Sequence, residues 1–194
     1  MGRHAMAKLV LSMFVSVDGY IEGANGEFVP PVWSDDLERH WSGQALRNAG
    51  HLLYGRRNFL FNKEFWSAAD TDPNSPAAGI AYAATMNRLP KTVFSRTLSG
   101  DPGWNGTLVS DDIAGAVGRL KDSVAGDLYL FGGAGIANSI MALDLVDEYR
   151  LMVTPGLLGS GKRLFEDGIP RVALTMAGVQ PLDTGAVILH YRRG

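Results

Sequence analysis

The sequence predicts an α/β fold built on a mixed sheet, and three observations carry that expectation. Short apolar runs of strand length alternate with segments of helical spacing. Lys8 to Val17 is apolar almost throughout, the pattern of a central strand covered on both faces. The last two strand-like runs, Val172 to Met176 and Ala186 to Tyr191, are joined by a turn at Asp183-Thr184-Gly185 and read as an antiparallel hairpin.

The elements follow in order. After the first strand, Asp18-Gly19 turns the chain into a glycine-marked loop that ends at Pro30-Pro31. Asp35-Asp36 open a helix carrying Leu37, His40/Trp41 and Ala45/Leu46, with the acidic residues where the helix dipole favours them. His51 to Tyr54 is a second strand, closed by Gly55-Arg56-Arg57-Asn58 and a new helix start. Ser67 to Ala77 reads as a polar surface loop, and Ala78 to Leu89 as a helix stopped by Pro90. Thr92 to Phe94 is a third strand, and Asp101 to Gly106 is a turn-rich connection. Asp111-Asp112 can cap a helix through Leu120. Leu128 to Phe131 has the length of a buried strand and breaks off at Gly132-Gly133-Ala134-Gly135, after which Ile136, Ile140 and Leu143 recur at helical spacing. Arg150 to Thr154 is the strand before the hairpin.

Composition narrows the function. A chain of 194 residues, 46% of them hydrophobic, fits one domain with a full core, here residues 6–194. Met1 to Ala5 reads as a cloning remnant ahead of a native start at Met6. The net charge of −2, without a basic block, gives no electrostatic footprint for nucleic acid. No apolar run has membrane-spanning length, and there is no cysteine for a disulfide framework, so a cytoplasmic protein is expected. His4, His40, His51 and His190 lack metal-ligand spacing, and no metal is expected.

Three strand ends carry polar motifs of one kind: Gly55-Arg56-Arg57, Ser95-Arg96-Thr97 and the glycine turn at 132–135. A strand, a glycine turn and a helix start aim free backbone N–H groups and a positive helix end at one spot, which suits a diphosphate. A tight turn with no ligand gives the same pattern. Guanidiniums match phosphate oxygens bidentately, so Arg56 or Arg57, with Ser95 and Arg96, suits the extra phosphate that distinguishes NADP from NAD. Gly156-Leu157-Leu158-Gly159-Ser160-Gly161-Lys162 half-fits a phosphate loop, but Arg163 stands where a magnesium-binding hydroxyl is needed. A phosphate-loop hydrolase is therefore the minor reading. Asp147-Glu148 reads as a polar helix-to-strand junction.

The ordered set Ser16-Val17-Asp18-Gly19-Tyr20-Ile21, Tyr54-Gly55-Arg56-Arg57, Leu89 to Leu98, Phe131 to Gly135, Leu145 to Leu151 and Pro155 to Phe165 resembles the dihydrofolate reductase superfamily. It is most similar to the branch related to the reductase domain of the bifunctional riboflavin-biosynthesis deaminase-reductase. That resemblance implies a three-layer αβα fold with a mostly parallel sheet, NADPH in the cleft, a homodimer, and reduction of a pterin-like or pyrimidine-like heterocycle. It implies cofactor contacts at Gly55, Arg56, Arg57, Ser95, Arg96, Thr97, Gly132, Gly133, Ala134, Gly135 and Ile136. The loop from Asp18 to Gly23 resembles the one that covers the nicotinamide. Asp18 and Tyr20 are thus candidate substrate contacts, with Trp33 and Phe131. Asp36 is the better match to the family's pocket carboxylate and is the candidate catalytic acid, although helix capping accounts for Asp35 and Asp36 somewhat better. An NADP(H)-binding module without turnover is the alternative function.

Overall fold

The computed structural model describes residues 6–194; the expected cloning remnant, Met1 to Ala5, lies outside the described residues. Eight strands form one sheet in the order β5-β4-β3-β6-β1-β7-β10-β9. Here β1 is Leu9–Ser16, β3 Ala49–Gly55, β4 Lys91–Phe94, β5 Gly106–Val109 and β6 Asp127–Leu130. The other three are β7 (Glu148–Thr154), β9 (Leu174–Pro181) and β10 (Val187–Arg193). β1 to β7 of this sheet pair in parallel, and β10 and β9 complete it antiparallel. A separate two-stranded sheet joins β2 (Tyr20–Glu22) to β8 (Lys162–Arg163).

β1 is buried on both faces because it has helices on both. Leu9, Leu11, Met13 and Val15 face α5 (Ile113–Ser123) and α6 (Ala134–Ala142), where Val117, Ala137 and Ile140 are fully buried. Val10 faces the opposite layer, with Tyr54, Phe59, Trp66 and Met86. That layer holds α3 (Arg56–Trp66), α4 (Ala83–Arg88) and the segment from α1 (Asp35–Leu37) through five residues of π-helix to α2 (Gly43–Asn48). The fold is therefore the three-layer αβα arrangement that the sequence led us to expect. In the π-helical turn the His40 carbonyl is turned out to accept from the Arg150 guanidinium, which itself lies 4.3 Å over the Trp41 ring.

Several boundaries differ from expectation. The helix expected over 78–89 is helical only from Ala83, because Gly79 adopts φ +80° and the chain from Ser67 to Tyr82 runs as successive turns. The stretch from Ser67 to Ala77 is also not wholly surface, since Ala69 and Ala77 are buried against Trp66 and its neighbours. The connection from Asp101 leads into an edge strand, β5, and the hairpin is displaced to 174–193.

Two buried polar groups sit between β3 and β4. Lys91 is fully buried, its ammonium donating at 2.7 Å to the Met86 and Leu89 carbonyls at the end of α4 and lying 4.1 Å over Trp104. The His51 imidazole bonds Thr92 Oγ1 at 2.9 Å. Burial, with the Lys91 charge nearby, pushes its pKa down to about 4. The unfolded chain takes up this proton near pH 6.5 and the folded chain resists it, so stability falls as pH drops between those values. Taking the protein from pH 7 to pH 5 is expected to cost on the order of 2 kcal/mol through this group. His51→Gln should flatten that slope in urea unfolding, a window that lies above the carboxylate titrations.

Candidate functional site

Because β3, β4, β6 and β1 are parallel, the motifs that follow them open at the same edge of the sheet. There a cleft of ≈ 1220 Å³ is lined from both helical layers. The glycine turn is tied to the end of β3, with the Gly55 N–H donating to the Gly132 carbonyl at 2.8 Å. Gly132 adopts φ +104°, and a Cβ there would come within 2.8 Å of Met13 Cε, so the position requires glycine. Next to it α6 begins at Gly133 with no side-chain cap and no acidic residue in its first turn. Nothing lies within 4 Å of where a Cβ would stand on Gly133 or Gly135. The result is an open cradle of backbone N–H groups facing the cleft.

α3 also begins uncapped, at Gly55, and brings Arg56 and Arg57 to the rim. Arg56 Nη1 donates to Thr97 Oγ1 at 2.7 Å, joining α3 to the loop after β4. Ser95 Oγ holds that loop by accepting from the amides of Thr97 and Leu98 at 3.2 and 2.9 Å. Arg57 Nη1 stands 3.8 Å from Glu22, whereas Arg56 and Arg96 have no carboxylate partner among the described residues. α5 differs: Asp112, at φ +46°, caps it through the Gly115 N–H at 2.9 Å and closes that helix start to anions.

The other end of the cleft is aromatic. Phe14 on β1 lies 5.1 Å from Trp41 and 6.0 Å from Phe28, and Phe28 lies 6.0 Å from Phe61. Tyr82 lies 6.0 Å from Trp33 and 5.2 Å from Trp66. Along α3 a side-chain ladder joins the two ends. Trp66 Nε1 donates to Asn62 Oδ1 at 3.2 Å, Asn62 to the Asn58 carbonyl at 2.8 Å, and Asn58 to the Phe131 carbonyl beside the glycine turn.

This architecture and this cleft can be compared with known proteins. The family model of the RibD C-terminal domain matches residues 7–188. The chain belongs to that family. YyaP of Bacillus subtilis (strain 168), an uncharacterized protein, is 30% identical over 184 residues, covering 95% of this chain and 94% of YyaP. A putative riboflavin biosynthesis protein from Shewanella sp. PV-4 superposes with a TM-score of 0.73 at 22% identity, covering 97% of this chain and 99% of that one. The diaminohydroxyphosphoribosylaminopyrimidine deaminase/5-amino-6-(5-phosphoribosylamino)uracil reductase of Thermotoga maritima superposes at 0.66 with 14% identity, covering 97% of this chain and 57% of that one. These two structures share the RibD C-terminal fold.

Within this RibD C-terminal domain, Gly55, Arg56, Arg57, Ser95, Arg96, Gly133, Ala134, Gly135, Ile136, Trp33 and Phe131 all border the one cleft. Gly132 and Thr97 lie just behind it, holding the turn and Arg56. Three expected site residues are placed elsewhere. Asp36 accepts from the Asp183 N–H at 3.1 Å and faces His40 Nε2 at 3.4 Å, bracing α1 against the C-terminal hairpin turn. Asp18 accepts from Ser16 Oγ at 2.6 Å and from the amides of Leu158 and Gly159 at 3.1 and 2.7 Å. The Ser16 hydroxyl and those amides hold its carboxyl down to about 2, against some opposing desolvation. Tyr20 lies under Arg163, 4.8 Å from its guanidinium, beside a separate small cavity.

The same contacts dispose of the phosphate-loop reading. The amides of Leu158 and Gly159 are already taken by Asp18, and Lys162 enters β8 where a helix would be needed. The cleft also uses residues that the sequence reading passed over: Ser12 and Phe14 on β1, Phe28, Tyr82, and the stripe Asn58, Phe61, Asn62, Phe65 on α3. That stripe has i, i+3, i+4, i+7 spacing, the one signal that could have exposed it.

Proposed function

We propose that the protein is an NADPH-dependent reductase of a small heterocyclic substrate. The observation that carries the reading is one cleft with an uncapped, glycine-lined helix start and two arginines, Arg56 and Arg96, without a carboxylate partner among the described residues at one end, and an aromatic chamber at the other. NADPH fits the first end. The open amides of Ala134, Gly135 and Ile136 would hold its diphosphate, and Arg56 and Arg96 would hold its ribose phosphate. When bound, the cofactor supplies a hydride. The chain's own residues would orient both planar groups, with Phe14, Trp33, Tyr82 and Phe28 as aromatic walls of the chamber. The named reductase from Thermotoga maritima and the membership of the RibD C-terminal domain family support this class of reaction.

Calorimetric titration with NADPH and NADH tests the reading. NADPH is expected to bind at least about tenfold tighter, and Arg96→Ala or Arg56→Ala to remove most of that gap, since a charge-assisted pair is worth roughly 1.5–3 kcal/mol. Equal affinity for the two cofactors would refute the ribose-phosphate assignment. A second reading, an NADP(H)-binding module without turnover, is favoured by one observation. Asp36 is not on the cleft wall, and of the carboxylates that are, Glu22 faces Arg57 and Asp112 caps α5. NADPH oxidation in the presence of heterocyclic acceptors separates the two.

A further inference from the structure

We propose that Ser12, on β1, is the hydrogen-bonding group by which the aromatic chamber recognises a flat heterocycle, taking a carbonyl or other acceptor on the ring edge. The proposal deepens the reductase reading and rests on the chamber being its substrate half.

Ser12 is 2% exposed, yet it borders the cleft, and its hydroxyl has no hydrogen-bond partner. Among the described residues it is the one cleft-wall side-chain atom buried in that state. Leaving a buried hydroxyl unpaired is costly, so native proteins pair nearly all of them. Asn58 and Asn62, the side-chain amides on the same cleft, bond along α3 and to the Phe131 carbonyl and not to Ser12.

The surroundings fix the shape of the partner. Phe14 stands two residues beyond Ser12 and so shares its face of the sheet. With Trp41 and Phe28 it forms a wall that favours offset stacking of a planar ring.

The polarity comes from the adjacent strand. Arg150 on β7 is the register partner of Ser12, so the two side chains leave the same face of the sheet. Its guanidinium lies behind Trp41, 5% exposed, with Nη1 unpartnered and no carboxylate paired with it among the described residues. A guanidinium can only donate. Its charge favours an acceptor at Ser12 over a protonated nitrogen.

The test uses two probes of similar outline: lumazine, a flat bicyclic dione, and naphthalene, which carries no hydrogen-bonding atom. Both are titrated by ligand-observed NMR against the parent, Ser12→Ala and Ser12→Thr, with melting curves on each variant. The parent should bind lumazine at least tenfold tighter than naphthalene. Ser12→Ala should weaken lumazine five- to tenfold and naphthalene less than twofold, and Ser12→Thr, which keeps the hydroxyl, should retain lumazine. An unchanged lumazine affinity in Ser12→Ala, or naphthalene binding as tightly as lumazine, would overturn the proposal. NADPH is titrated alongside. If NADPH fails to bind while the lumazine pattern holds, the reductase reading falls and the Ser12 assignment stands. NADPH binding normally beside a Ser12-insensitive lumazine refutes the Ser12 assignment alone.

Discussion

Gly135→Asp is expected to lower NADPH affinity at least about a hundredfold while leaving the fold as stable as before or slightly more so. Gly135 is exposed in the first turn of α6, and a Cβ there meets nothing within 4 Å. The helix has no side-chain cap and no acidic residue near its start, so a carboxylate placed there gains roughly 0.3–1 kcal/mol from the helix dipole. It also removes a glycine from a helix, which is itself mildly favourable. The same carboxylate would occupy the cradle assigned to the diphosphate. Two like charges about 4 Å apart repel by about 4 kcal/mol at an effective dielectric constant near 20, more than a hundredfold in affinity. Calorimetry and a melting curve on one variant read both effects. Unchanged NADPH binding would remove the diphosphate assignment, and a large drop in melting temperature would mean that the α6 start is built for structure alone.

Glu148→Ala is expected to cost about 1.5–3 kcal/mol of stability, read by urea unfolding. Glu148 opens β7 and is 7% exposed. Its carboxylate meets Lys8 Nζ at 2.8 Å, His190 Nε2 at 2.7 Å and Arg192 Nε at 3.4 Å, which joins the start of β1 to β10. Burial raises its pKa, but the hydrogen bonds and charges of Lys8 and His190 outweigh that and hold it below the ordinary value. Its contribution is therefore present above the usual carboxylate range and lost as pH falls through it. Removing the carboxylate takes away its charge-assisted hydrogen bonds, while the exposed Lys8 and Arg192 side chains can turn to water. An effect below 0.5 kcal/mol would mean that the hairpin is held by its apolar contacts, Met152 against Ile188 and Leu182.

The fold was legible where burial left an uninterrupted apolar signature. β1, β3, β4 and β6 are each surrounded by other chain segments, and their runs show it. β5 was not legible, because an edge strand of four half-exposed residues pairs only with β4 and carries no such run. β2 and β8 are shorter still. They exist because Gly161, at φ +128°, lets the chain pass the Glu22 carbonyl where a Cβ would sit at 2.1 Å.

The candidate site divides in the same way. Its charged end was legible because arginine, serine and glycine sit directly behind strand ends, and the parallel sheet brings such ends together. Its aromatic end was not. Trp41 and Trp66 are largely buried, and from sequence alone they cannot be distinguished from core. They line a cavity only because β1, the 28–33 loop, the π-helical turn, α3 and Tyr82 converge there. Asp18 and Asp36 show the converse: acidic residues at the expected places along the chain are occupied by neighbouring backbone amides.

The placement of the indole rings has a practical consequence. Trp33, Trp41 and Trp66 border the cleft, while Trp104 lies away from it, between Lys91, Tyr54 and Phe59. The chain thus carries three intrinsic fluorophores at the place where an occupant would sit and a fourth set apart as an internal reference. Its ultraviolet emission is a built-in gauge of whether that space is filled.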